Sequence, residues 1–135
     1  MSKSKDKPAN LFIFIVDSFG DGLGNKFKKW GLVHNENFCI VGGGGSEMIL
    51  DVPRWINAEH LLVFMSSIHG EVEPSVALSQ RIKIANPNAR IIYRSNTTSS
   101  DDPVFEKSMS KIGADWEEFF TIIEQFAKEK GAVPA

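Results

Sequence analysis

The chain has 135 residues, 42% hydrophobic and 24% charged, with a formal net charge of −2, the size of one domain with a core large enough to need neither disulfides nor a metal. The near-neutral balance excludes a global field that would favour nucleic acid or an anionic membrane surface. Ten Phe against one Tyr point to a large dry core.

Residues 1–10, MSKSKDKPAN, read as a polar tail without the apolar stretch of a signal peptide. No segment approaches the ~20 apolar residues that span a bilayer, so a cytoplasmic protein is expected. Leu11 to Val16, LFIFIV, is an unbroken apolar run, as in a parallel strand covered on both faces. It ends at Asp17-Ser18-Phe19-Gly20. Leu23, Phe27 and Trp30 then fall at helical spacing, with Gly31 placed to end the helix. Lys26, Lys28 and Lys29 read as its solvated face, not as a nucleic-acid patch.

Asn37 to Val41 reads as a second strand, followed by Gly42, Gly43, Gly44 and Gly45. Ser46 is a candidate cap for a short helix carrying Met48, Ile49 and Leu50, and Asp51 a second cap before Pro53. Leu61 to Met65 is a third strand, apolar throughout, opening into Ser66-Ser67-Ile68-His69-Gly70. Pro74 suits the first turn of a helix with Leu78, Ile82 and Ala85 on one face. Asn86-Pro87-Asn88 is a turn, and Ala89 to Tyr93 a fourth strand.

A polar loop, Ser95 to Asp102, precedes Pro103, and the spacing of Phe105, Met109 and Ile112 predicts a helix closed by Gly113. Asp115 and Glu118 form an aspartate version of a capping box. The last helix carries Trp116, Phe119, Phe120, Ile123 and Phe126 at core spacing, and Gly131 closes it. Strands alternating with helices imply a parallel α/β sheet in a single domain over residues 11–131.

With these elements in place the chain resembles a response-regulator receiver domain, a three-layer flavodoxin-like fold. The likeness rests on Val16-Asp17-Ser18 at the end of the first strand. It rests also on VALSQRIKIANPNARII from the third helix into the fourth strand, on Ser95 where the family carries a hydroxyl residue, and on Gly113-Ala114-Asp115. The resemblance implies a strand order 2-1-3-4, with the fifth strand missing or degenerate. Three of the family's four reactive groups are absent or reduced. Its phosphoacceptor Asp falls at Met65, Ser66 or Ser67. Its acidic pair is reduced to Asp17 beside Ser18, and no strand ending in the switch Lys fits after Asp115. Acyl-phosphate chemistry needs a carboxylate nucleophile and a metal held by acids. The resemblance therefore implies a degenerate pocket of Asp17, Ser18, Ser66, Ser67 and Ser95, and no catalysis, cofactor or metal.

The expected function is a phosphorylation-independent pseudo-receiver, a protein–protein interaction module in two-component-type signalling, binding neither nucleic acid nor membrane. Its expected interaction surface is the fourth-strand edge with the last two helices, through Phe119, Phe120, Ile123 and Phe126, including self-association as a homodimer. The alternative is a small-ligand or nucleotide-binding flavodoxin-like protein using Gly42 to Gly45 and His69. The glycine run lacks the Lys-Ser/Thr of a P-loop and the Gly-x-Gly-x-x-Gly spacing, so a flexible loop is its plainer reading. The plainer reading of the strand-end residues as a whole is a set of solvated loop and capping groups. His69-Gly70 is similar to the His-Gly of caspase-like cysteine peptidases, but Arg94-Ser95-Asn96 stands where that chemistry needs a Cys. Cys39 lies in an apolar run and reads as a buried, inert thiol. His34 and His60 read as polar groups at element edges, and no Cys/His cluster has zinc spacing.

Overall fold

The computed structural model describes residues 11–17, 28, 31–95, 98–110 and 115–129. Along the chain these form β1 (Leu11–Val16), β2 (Phe38–Val41), a 3-10 helix (Gly43–Asp51) and α1 (Pro53–Ile56). There follow β3 (His60–Met65), α2 (Glu73–Ala85), β4 (Arg90–Arg94), β5 (Ser108–Met109) and α3 (Asp115–Glu129). The five strands make one sheet in the order β2-β1-β3-β4-β5, with every pairing parallel. The register sets Phe14 beside both Cys39 and Val63, and Phe64 beside Ile92.

The apolar runs are explained by two-sided covering. Side chains alternate across a strand, so Leu11, Ile13 and Ile15 of β1 join Leu62, Phe64 and Ile92 on one face, beneath Phe119, Ile123 and Phe126 of α3. Phe12, Phe14 and Val16 join Val63, Met65, Ile91 and Tyr93 on the other face, with Trp55, Ile56, Leu78 and Ile82. Trp55 stacks on Phe12 with ring centroids 4.7 Å apart, and Phe119 meets Phe64 edge-on at 4.7 Å. Each fully buried Phe, Ile or Leu contributes roughly 1.5–3 kcal/mol. β1 and β3, buried along nearly their whole lengths, are therefore the centre of the domain. Among the described residues the layers are α3, sheet, and α1 with α2 and the 3-10 helix.

Four expectations from the sequence change here. Of the helix expected from Pro103 to Ile112, residues 103–110 are instead a turn leading into β5, and Ile112 lies outside the described residues. The N–H groups of Tyr93 and Ser95 donate to the carbonyls of Lys107 and Met109 at 2.9 and 3.1 Å, and that of Glu106 to Ile91 at 2.9 Å. Pairing with the open edge of β4 satisfies these groups without a helix. Phe105 packs on Tyr93 at 5.1 Å, on the face that a crossover helix would cover. The fifth strand is thus degenerate, two residues long, and it precedes Gly113-Ala114-Asp115 rather than following it. Gly113 and Ala114, expected to close that helix, lie outside the described residues.

Second, Phe119, Ile123 and Phe126 are buried in the core and Phe120 is partly buried against it. Phe119, Ile123 and Phe126 cover the sheet and are not open to a partner, and among the described residues one helix stands where two were expected. Third, neither Ser46 nor Asp51 caps a helix. The 3-10 helix already begins in the glycines, so Ser46 lies inside it and donates its hydroxyl back to the Gly43 carbonyl at 2.8 Å, while Val52 is the residue before α1. Fourth, Ala85 is exposed, and the inner face of α2 is Ser75, Leu78, Ser79 and Ile82. Gly31 has φ +75° and donates its N–H to Lys28 at 3.0 Å, the conformation of a helix-closing glycine. The first helix expected before it, with Leu23, Phe27 and Trp30, falls outside the described residues, as does Gly131.

Candidate functional site at the carboxyl ends of the strands

In a parallel sheet the loops leaving the strands gather at one edge, the usual place for a ligand. Here the ends of β1, β3 and β4 bring together Asp17, Ser66, Ser67 and Ser95. Ser18, also expected there, lies outside the described residues.

The centre of this edge is a buried ion pair. Arg94 donates from Nη1 to Asp17 Oδ2 at 2.8 Å, with side-chain exposures of 1% and 3%. Because β3 lies between β1 and β4, Arg94 reaches across the end of β3, roughly 10 Å at the usual strand spacing. Its guanidinium carbon lies 3.8 Å from the centroid of Phe119, a cation–π contact. Burial pushes the Arg94 guanidinium down from its ordinary value, and the hydrogen bond and charge of Asp17 oppose that shift. Arginine stays a cation through such shifts, so Asp17 faces a permanent positive charge.

The serines are engaged in structure. The Ser66 carbonyl accepts the Ser75 hydroxyl, which ties β3 to α2. Ser95 is buried, and its Oγ accepts the N–H and hydroxyl of Thr98 at 3.3 and 3.0 Å. Thr98 in turn meets the Tyr93 hydroxyl at 2.6 Å, so three hydroxyls hold the loop after β4. Ser67 is half-buried. Its carbonyl lies 3.4 Å from where a Cβ on Gly43 would stand.

Gly42 precedes the 3-10 helix and Gly43 to Gly45 form its first turn, with the Gly45 N–H bonded to the Gly42 carbonyl at 3.0 Å. The run is therefore wound and not a flexible loop. His69 and Gly70 are the centre of a tight turn, with φ +53° and +78°, closed by mutual Ile68–Glu71 backbone bonds of 2.9 and 3.0 Å. His69 is exposed, beside Gly44. Cys39 is buried and its thiol is pushed up by burial, which leaves the protonated, unreactive form at neutral pH.

Sequence reading missed Arg94 as a partner of Asp17. The signal was available: a charge directly after an apolar strand, two residues from Ile92 and so on the same face, must be paired if buried. At the opposite edge of the sheet, a cleft of about 310 Å³ is lined by Glu59, His60, Leu61, Asn88, Arg90 and Phe126. Its Arg90 is held by Glu106 at 2.9 and 3.0 Å. Among the described residues, no three His, Cys, Asp or Glu side chains are grouped to hold a metal ion, and no helix is long and apolar enough to cross a membrane.

No family model matches the chain, and no curated protein matches it.

Proposed function

We propose that this chain is a phosphorylation-independent pseudo-receiver, a non-catalytic protein–protein interaction module in two-component-type signalling. One observation supports the reading above others: at the carboxyl ends of β1 and β3, Asp17 is already neutralised by Arg94 at 2.8 Å, while Met65, Ser66 and Ser67 stand where a nucleophilic carboxylate would be needed. The Arg94 cation at this carboxylate repels a metal cation brought to the same group. The parallel 2-1-3-4-5 sheet is compatible with this reading but is shared by many functions. The alternative, a nucleotide bound by Gly42 to Gly45, draws less support, because Gly43 to Gly45 are wound into a helical turn beside Ser67 and Ile68.

The test is incubation of the full chain with acetyl phosphate and Mg²⁺, followed by intact mass. The mass stays unchanged, and the set of proteins captured from the native host is the same with and without the phosphodonor. A gain of one phosphoryl group at a strand-end residue, or capture that depends on the donor, overturns the proposal.

A further inference from the structure

The β4 edge of the sheet is covered by β5, and β2 is the outermost strand on the other side. The register shows which groups of β2 face outward. The N–H groups of Ile13 and Asp17 donate to the carbonyls of Asn37 and Val41 at 2.8 and 2.7 Å. Backbone groups alternate sides along a strand, so the N–H and carbonyl of Phe38 and of Ile40 point away from β1. Phe38 is engaged there: its carbonyl accepts the Asn35 N–H at 2.6 Å, and its N–H donates to the Val33 carbonyl at 3.4 Å. Among the described residues, no hydrogen bond engages the N–H or the carbonyl of Ile40. Asn37 to Gly42 also holds no charge and no proline, the usual protections of an open edge. Val33, which flanks this edge, is 50% exposed.

We propose that β2 pairs with β2 of a second copy of this chain, antiparallel about a two-fold axis at Ile40. In an antiparallel pair, two directly opposed residues exchange both bonds, each N–H donating to the other's carbonyl. A two-fold axis opposes Ile40 to itself, so the residue with both groups open is the one the symmetry requires. An extended peptide of another protein would also need the next outward residue, and Phe38 is already bonded. The same axis sets Phe38 opposite Gly42 of the second copy, a bulky side chain against none, and it opposes no like charges. The two sheets then run on as one. With two main-chain bonds at its centre the interface is smaller than that of a permanent dimer, so association is weak, with a dissociation constant on the order of 100 µM. The inference rests on the geometry of β2 and not on the functional proposal.

Sedimentation velocity and amide hydrogen exchange on the full chain test it. From about 10 µM to about 1 mM the parent passes from monomer to dimer. Over that range exchange at the Ile40 amide slows by about threefold or more, while the amides of Cys39 and Val41, turned to β1, change less. Ile40→Pro removes the outward N–H and leaves the bonds to β1 in place, and it raises the dissociation constant by about tenfold or more. A chain that stays monomeric, a dimer with unchanged exchange at Ile40, or a dimer that survives Ile40→Pro overturns the proposal. Protection of Ile40 that follows an added host protein and not the concentration of the chain assigns the edge to another partner and overturns it too. Should Ile40→Pro fail to fold, the concentration dependence at Ile40 in the parent decides alone.

Discussion

The backbone N–H of Tyr93 donates to the carbonyl of Lys107 at 2.9 Å, and with the Glu106–Ile91 bond this closes the edge of β4. The segment acts through its backbone, which separates two substitutions at one position. Glu106→Ala removes the exposed Arg90 pair and costs about 0.2–1 kcal/mol. Glu106→Pro also removes the N–H that satisfies Ile91, and costs about 2–3 kcal/mol. Urea denaturation of both variants measures the difference; equal midpoints would show that the edge pairing contributes nothing.

Asn86 is a second such point. Its amide donates to the carbonyls of Ile56 and Ala58 at 3.0 and 2.9 Å, and its Oδ1 accepts the Asn88 N–H at 3.2 Å. One buried side chain therefore joins the end of α2, the start of β4 and the segment before β3. Asn86→Ala leaves buried carbonyls unfilled and costs about 2–4 kcal/mol. Asn86→Asp turns a donor into a carboxylate facing two carbonyls. It is the more damaging change at neutral pH and recovers part of its loss as acid protonates it, which denaturation at pH 7 and pH 4 resolves.

The central strands were legible because LFIFIV and LLVFM admit only two-sided burial. Their observed bounds, Leu11–Val16 and His60–Met65, differ from the expected ones by one residue at most. The segment after Asp102 was not legible. Phe105 and Met109 sit four apart, a spacing that serves a helix, but Phe105 turns to Tyr93 on one face of the sheet and Met109 to α3 on the other. Pairing with β4 decides that segment, and local spacing does not record it. At the candidate site the strand-end residues Asp17, Ser66 and Ser95 were placed from the sequence. The Arg94 partner was missed, because a contact between residues separated by 77 positions is visible only once the strand order is known.

The glycines separate by conformation. At Gly43 the φ is ordinary for any residue, and an added Cβ would touch Ser67 O at 3.4 Å and Ile68 Cα at 3.5 Å. Gly43→Ala therefore fits without clash and leaves stability within about 0.5 kcal/mol or slightly raised, since Ala favours helical turns. Gly70 sits at φ +78° in the His69 turn. Gly70→Ala has open space around it but strains the backbone, at a cost of about 1 kcal/mol. Thermal melts of the two variants, read side by side, should order them Gly43→Ala above Gly70→Ala; the reverse order would contradict the turn geometry.

Cys39 gives the fold a pH dependence with a definite sign. Burial raises its thiol pKa in the folded chain, while the unfolded chain ionises at the ordinary value, about 8.5. Below that pH both states hold the proton, and the full contribution to stability is present. Above it the unfolded state releases the proton first, so it binds fewer protons than the native state and stability falls as pH rises through the folded pKa. The comparison is with Cys39→Ala, so that every other group contributes equally to both profiles. That variant is less stable at pH 7, having lost a buried sulfur at Cys39, but it declines less steeply between pH 8 and pH 10. A thiol reagent supplies the independent check. Cys39 is shielded by Ile49, Trp55 and the other residues of its core layer, so labelling under native conditions proceeds only through opening of the fold and accelerates with urea. Rapid native labelling, or parallel pH profiles for the parent and Cys39→Ala, would show that the thiol is not held in the core as the structure places it.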